Sequence, residues 1–385
     1  MRILAALFLL FHGIAHLFGF RAAFWASAPQ AAGLLGLGQS GTRALGIAWL
    51  LLAVGFMATA ALLLVRSPAW SSVTLTLTVL SAILCVLYLP EARIGLILDI
   101  VLLVAVLWAS RASSEHLWAA FARELRGANL PKAAAAAAVI DERAIASLPE
   151  PVQRYLRFMG VLGRPRDWSL RARFVARFRR GSGDWLACEA LQYDTRLQLS
   201  RVFCMQLALG KVLPVTVRDT YVRGRGTMLA KAFDYFRVVE GTGHELDVGE
   251  LVTYLNDAIL MAPSLLLGPE TSWKEVGRDS FDVTLTDGKL SVTARVWLDE
   301  RGAPTDFSTT DRFYDMPDGK RVRTEWRTPI SGWQDAAGRK LPTRARAVWQ
   351  LPTGEFPYAD FSIDPAQVAF NVPPDLRGLQ PGSDS

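Results

Sequence analysis

The chain changes character once, and that change limits what it can fold into. Up to Trp108 the sequence is almost entirely apolar; beyond it, the sequence reads as a soluble, β-rich domain. The crossing stretch runs from Ile94 to Arg126. From Gly95 to Trp108 its only charge is Asp99, and it ends as an amphipathic helix with Leu117, Trp118, Phe121 and Leu125 on one side. One part of such a chain requires apolar surroundings and the other requires water, so a single globular domain is excluded.

Four spans are expected before the crossing: Ile3–Phe20, Ala44–Val65, Trp70–Leu89 and Ile94–Trp108. Each approaches the ~20 residues that cross a bilayer, the last being short. Trp70, Tyr88 and Trp108 fall at span ends, where amphipathic rings prefer to lie. An even number of spans puts both ends on one side. That side holds Arg2, Arg66, Arg111, Arg123, Arg126 and Lys132, against Arg21, Arg43 and Arg93 on the other. The positive-inside rule then places the C-terminal domain in the cytoplasm, with the periplasm as the alternative.

His12 and His16 stand four apart in FHGIAH, on one face of the first helix. Ionisable groups inside a span face the bundle interior. One reading is a proton relay with Asp99, or a ligand pair; the other is interhelical hydrogen-bonding. No second ligand pair accompanies them, so no metal site or cofactor is expected. Three cysteines, Cys85, Cys188 and Cys204, are too few for a disulfide framework, and no CxxC pair is present.

Residues 113–150 read as the amphipathic exit helix and a linker. Pro151 opens a short helix with Val152, Leu156 and Met159 inward, and Gly160 closes it. From Ser169 the period becomes two. Ala172, Phe174, Ala176 and Phe178 form the apolar face of a strand, and Arg171, Arg173, Arg177 and Arg179 the basic face. Nine arginines between Arg154 and Arg180 stand against the single acid Asp167. Close to a membrane exit, such a strip suits anionic headgroups. No recognition motif supports nucleic acid as the partner.

Further strands are expected at Asp184–Tyr193, Leu199–Ala208, Val215–Arg223, Phe281–Thr286, Leu290–Leu298, Thr305–Phe313, Arg321–Thr328, Arg344–Leu351 and Tyr358–Ile363. Asp287-Gly288 marks a tight hairpin, and short turns imply antiparallel pairing. One helix interrupts the strands. Asp247 and Glu250 fit a capping box, and Leu251, Leu255, Ala258 and Ile259 recur at helical spacing before Pro263. It either closes the core or lids an apolar groove. A turn centred on Arg196 would set Cys188 opposite Cys204, both as free thiols in the cytoplasm. The expected fold is α+β: a four-helix transmembrane bundle (1–112), the exit helix and linker, a curved, mainly antiparallel sheet domain with one or two packed helices (151–375), and a disordered tail (376–385).

LPEPVQRYLRFMG at Leu148–Gly160, RDTYVRGRGTM at Arg218–Met228, GELVTYLNDAILMAPSLL at Gly249–Leu266 and the segment Arg339–Ile363 resemble a bacterial family of unknown function, as does HGIAH in the first span. That resemblance implies a multi-span N-terminus and a C-terminal β-domain, and places the protein in the bacterial inner membrane. The β-domain is similar in outline to lipoprotein-carrier proteins, whose curved sheet holds acyl chains on its apolar side. It implies membrane lipid, or an apolar small molecule, as the ligand. The ligand-facing residues would be Leu251, Tyr254, Leu255, Asp257 and Ile259 of the helix, with Phe174 and Phe178 of the sheet. No GxSxG motif or supported Cys/His pair points to an enzyme. The expectation is a non-enzymatic, lipid-binding, membrane-anchored domain. The alternatives are a scaffold for a protein partner, or an enzyme using Asp257 or the His12/His16 pair.

Overall fold

The apolar stretches form helices, and the alternating ones form a single large sheet. The computed structural model describes residues 2–25, 39–65, 67, 69–89, 91–112, 115–135, 137–179, 181, 183–209, 213–232, 236–316 and 319–377. The expected turn residues Pro317 and Asp318 and the tail residues 378–385 lie outside these. The chain divides into two units, one comprising the N-terminal helices to Glu115 and the other most of the chain from His116.

The first unit contains α1 (Arg2–Trp25), α2 (Gln39–Leu64), α3 (Trp70–Leu87) and α4 (Arg93–Ala112). Three helices, not four, are long and apolar enough to cross a membrane among the described residues: Ile3–Trp25, Gln39–Leu64 and Trp70–Leu87. The even count on which the orientation rested is therefore not supported; the three helices are compatible with a membrane anchor. Gly13 lets α1 close on α2, since a Cβ there would lie 2.9 Å from the carbonyl oxygen of Ala53 and 3.2 Å from Phe56. Close approach through small residues is the usual way such helices pack.

The second unit begins with α5 (Glu115–Ala128), α6 (Glu142–Ile145) and α7 (Glu150–Phe158). Asp141 caps α6 by accepting from Ala144 N–H at 3.0 Å, and Pro151 occupies the first turn of α7. The strands are β1 (Ser169–Phe178), β2 (Leu186–Thr195), β3 (Ser200–Leu209), β4 (Leu213–Val222), β5 (Arg225–Ala232) and β6 (Phe236–Gly241). After them come α8 (His244–Met261) and a 3₁₀ turn (Pro263–Leu266). There follow β7 (Thr271–Gly277), β8 (Ser280–Asp287), β9 (Leu290–Leu298), β10 (Pro304–Thr309), β11 (Phe313–Asp315), β12 (Arg321–Arg323), β13 (Trp326–Arg327), β14 (Ile330–Ala336), β15 (Arg339–Leu351) and β16 (Gly354–Phe370). One fourteen-stranded sheet runs β6-β5-β4-β3-β2-β1-β16-β15-β13-β10-β9-β8-β7, with β14 on β15; β11 and β12 form a separate hairpin. All the pairings described are antiparallel and the sheet is open, so the α+β class holds.

The sheet bends around α8. This helix contacts β3 and β5 in one half of the sheet and β9, β10 and β15 in the other. The Tyr221 hydroxyl of β4 donates to Asp287 Oδ2 at the end of β8, at 2.7 Å, bringing the two halves together. On the opposite face lies α5. Its Leu117, Phe121 and Leu125 pack with Leu191, Tyr193, Val202 and Cys204, and Leu376 covers their edge. The apolar side of the exit helix is thus used by the sheet, and the ion pair from Arg218 to Glu124 (2.5 Å) fixes it there.

Two local expectations are corrected. Asp247 does not cap α8: the helix begins at His244, and the Asp247 carboxylate accepts from Gly226 N–H of β5 at 2.7 Å. Nor do Cys188 and Cys204 oppose each other. The β2–β3 turn centres between Leu197 and Gln198, so Cys188 pairs with Leu207 and Cys204 with Leu191. A three-residue shift is odd, and it puts the two thiols on opposite faces.

Candidate functional site

The inner face of the sheet, under α8, concentrates buried charge. Alternation along β3 sends Arg201, Phe203 and Met205 to this face, and β2 adds Gln192 and Asp194 from the paired positions. From α8, Glu250 and Asp257 descend one helical stretch apart. Arg201 donates from Nε to Asp257 Oδ2 at 2.7 Å and from Nη1 to Glu250 Oε2 at 3.1 Å, with Asp219 of β4 at 3.8 Å. The Gln192 amide bridges Asp194 (2.6 Å) and Asp257 (2.8 Å). One guanidinium therefore serves four carboxyls. Asp194 Oδ1, Asp219 Oδ1 and the Tyr254 hydroxyl are buried without a hydrogen-bond partner among the described residues.

Burial governs the protonation of this cluster. It lifts Asp194 well above the usual carboxylate range, and the charge of Asp257 adds to the effect. It lifts Glu250 likewise, with Asp219 as the next cause. Asp257 is raised by burial against the opposing pull of Arg201. Burial would depress Arg201, but Asp257, Glu250, Asp219 and Asp194 outweigh it and hold the guanidinium charged. Burying charge is tolerated only with such neutralisation or pairing.

Around the charges the face is apolar and aromatic. Leu251, Leu255 and Ile259 are fully buried, and Tyr254 nearly so. Phe203 lies under the Arg201 guanidinium, 4.8 Å away. Phe361 links Phe203 to Phe174 at 6.4 and 5.7 Å, and Phe178 meets Tyr358 at 5.8 Å. Phe174 and Phe178 thus belong to an aromatic row on the face that α8 covers. Tyr155 of α7 anchors the helix end by donating to the Ile259 carbonyl at 2.7 Å.

The basic row of β1 is divided rather than continuous. Arg171 is buried, and it holds Asp375 and the Arg377 carbonyl of the C-terminal segment. Arg173 pairs with Glu189 at 2.6 Å. Only at the far end does exposure rise: Arg177 pairs with Asp360 while 53% of its side chain stays accessible, and Arg179 stacks over Trp185 and Phe356 at 4.8 and 5.1 Å.

The polar residues singled out in the N-terminal helices do meet. His12 Nε2 lies 2.9 Å from Asp99 Oδ1. Ser81 Oγ lies 2.7 Å from Asp99 Oδ2 and 2.8 Å from His16 Nε2. Ser81, Arg201 and Asp194 had no motif to mark them, and Asp219 stood only within the segment Arg218–Met228. A charged residue on the apolar side of β3 was the available signal for Arg201, and it becomes informative only once the β2–β3 register is known.

Fold and site define an α+β protein with an apolar helical N-terminus and an open antiparallel sheet bent around one charged, buried helix. Residues 138–361, more than half the chain, match the model of a family described as "Family of unknown function (DUF6544)", and the chain belongs to that family. No curated protein matches it in sequence. A solved structure, that of a LolA superfamily protein from Nitrosomonas europaea, is similar at a TM-score of 0.31 with 12% identity, over 60% of this chain and 94% of that one.

Proposed function

We propose that the C-terminal domain binds lipid or another apolar ligand at the surface of the membrane that holds the N-terminal helices, without catalysing a reaction. The observation that supports this is the seam beneath α8. A permanent core is stabilised by replacing buried ion pairs with apolar side chains, often by about 1–4 kcal/mol. Here four carboxyls and one guanidinium occupy the centre of an apolar, aromatic contact. Such a seam separates more readily than an apolar one, because each charge regains water on opening. Lifting α8 bares Leu251, Leu255 and Ile259 over the sheet face that carries Phe203, and the Phe361–Phe174 row continues from there, a surface suited to an acyl chain. Arg177, Arg179 and Trp185 form a basic, aromatic end of the sheet that suits headgroups.

The test uses the full chain in detergent. Lipid extraction and mass spectrometry should find an acyl species retained by the protein. A fluorescent acyl probe should bind saturably, and Arg201→Gln, which frees the latch, should change its exchange rate severalfold. Absence of both a retained acyl species and saturable probe uptake, with the domain folded, would exclude this reading.

A second reading, a scaffold for a protein partner, is favoured by β6. It is an edge strand, and Val238 and Val239 on it are exposed. An open edge of this kind accepts a strand from another chain. Substituting Lys for Val238 would abolish such pairing and leave acyl binding intact.

A further inference from the structure

Among the polar side chains of the helical unit, one group is wired differently from the rest. The hydroxyls of Thr59, Thr74, Thr76 and Thr78 each donate to a carbonyl four residues earlier, at 2.6–3.0 Å. That is how a hydroxyl satisfies itself inside an apolar helix. Ser81, on the same helix as three of them, instead joins α1 to α4 through His16 and Asp99. The four residues His12, His16, Ser81 and Asp99 come from three helices and are at most 4% exposed. Phe56 meets both imidazoles, at 4.7 and 5.2 Å, and Trp49 meets His16 at 5.3 Å. No lysine or arginine pairs with Asp99 among the described residues.

The hydrogen count in this chain is tightly constrained. His16 Nδ1 lies 2.7 Å from the His12 carbonyl. A carbonyl only accepts, so this nitrogen carries a proton. Ser81 has one hydroxyl proton and hydrogen-bonds two partners of this chain, His16 and Asp99. For a neutral network of these four residues, only two arrangements use every donor. In the first, Asp99 Oδ2–H donates to Ser81, and Ser81 donates to His16 Nε2. In the second, His16 Nε2–H donates to Ser81, and Ser81 donates to the Asp99 carboxylate. They interconvert by a double shift. The Asp99 O–H bond breaks as that proton joins Ser81, and the former Ser81 proton moves onto His16. Asp99 ends as a carboxylate and His16 as an imidazolium; the net charge stays zero. In both arrangements His12 Nε2–H donates to Asp99 Oδ1. This leaves His12 Nδ1 as a lone pair, and that atom is buried without a hydrogen-bond partner among the described residues.

We propose that His12, Asp99, Ser81 and His16 form a proton-exchange site in the helical unit. It accepts one proton at His12 Nδ1 and passes charge between Asp99 and His16 through Ser81. The His16 end is closed on a backbone carbonyl, so proton entry and exit share the His12 end. An added proton converts His12 to an imidazolium beside Asp99 and biases the double shift toward the Asp99 carboxylate. The other titratable group at the site is Cys85 of α3, which neighbours Asp99 and Ser81. The walls contributed by α2, Trp49 and Phe56, carry no titratable group.

The test is pH-difference infrared spectroscopy of the full chain in liposomes, which reads the carboxylic-acid C=O band and the imidazole bands directly. In the wild type the two sets should change together in one transition. Asp99→Asn should remove the carboxyl change. Ser81→Ala should split the single transition into two, and Ser81→Thr, which keeps the hydroxyl, should restore it. His12→Gln should lower proton uptake on a pH jump by one proton per chain, while Cys85→Ala should leave the coupling unchanged. Far-UV circular dichroism of each variant confirms the helices. Bands that do not titrate in the wild type, or coupling that persists in a folded Ser81→Ala, would overturn the proposal and leave the residues as interhelical hydrogen bonds. If Ser81→Ala does not fold, wild-type uptake equal to that of His12→Gln overturns it instead.

Discussion

At the residue scale, single atoms set what this fold tolerates. Arg223 and Gly224 both take positive φ, 55° and 73°, and make the two-residue turn between β4 and β5. Paired positive φ values are those of the tight hairpin turn that matches strand twist. Gly226 serves differently: a Cβ there would overlap the carbonyl of Leu246 as α8 begins. Gly226→Ala is expected to destabilise the domain by about 1–3 kcal/mol through overpacking, read by chemical denaturation. The cysteines give a second expectation. Cys188 and Cys204 face opposite sides of the sheet, so an oxidant should not join them in any compartment. Denatured, unreduced protein should label at both thiols. Protection of the two as a pair would contradict the β2–β3 register. Their redox state therefore carries no information about which side of the membrane the domain occupies.

At the element scale, α8 is where stability and function meet. Arg201 neutralises carboxyls from three elements, so Arg201→Met leaves them buried and unpaired. A loss of about 3–5 kcal/mol is expected, largely recovered by adding Glu250→Gln and Asp257→Asn. The pH dependence has a definite sign. Asp194, Glu250 and Asp257 are raised by burial, so the folded domain holds protons that the unfolded chain has already released. Their stabilisation is complete below roughly pH 4, the unfolded carboxylate range, and is lost as pH rises through the raised folded values. Thermal unfolding should therefore show stability falling with rising pH above that range. Asp194→Asn with Glu250→Gln should flatten the slope; an unchanged slope would assign it to other groups. On the proposed reading, rising pH also favours release of α8 and faster acyl exchange.

At the scale of the whole molecule, each unit has a hydrophobic interior of its own. The helical unit packs Phe56, Leu9, Leu63 and Val106 together. The sheet unit closes its outer face with α5 and its inner face with α8. A fragment from His116 to Arg377 should therefore fold without the apolar helices, as a monomer with one cooperative unfolding transition. A fragment that is insoluble or molten would mean that the sheet depends on the N-terminal unit.

Much of this was legible along the chain, because it depends on period and on local chemistry. The apolar stretches, the alternation in β1 and β9, the Pro151 helix start and the Asp287-Gly288 hairpin all follow from neighbours a few residues apart. His12, His16 and Asp99 stood out as ionisable groups in apolar helices, where burial is costly enough to imply partners. The sequence could not place Ser81 between them, since a serine in an apolar helix usually bonds its own backbone. It did not mark β5, β6, β7 or β14, whose apolar residues are sparse or exposed and whose pairing is supplied by neighbouring strands. Asp247 and Glu250 matched a capping pattern, yet tertiary contacts with Gly226 and Arg201 claimed both carboxylates. The charge cluster under α8 draws on residues from Gln192 to Asp257, across three strands and a helix. Only the strand register and the bend of the sheet decide that Arg201 meets Asp219, Glu250 and Asp257, because a shift of one residue along β2 or β3 would turn Gln192 and Asp194, or Arg201, to the other face.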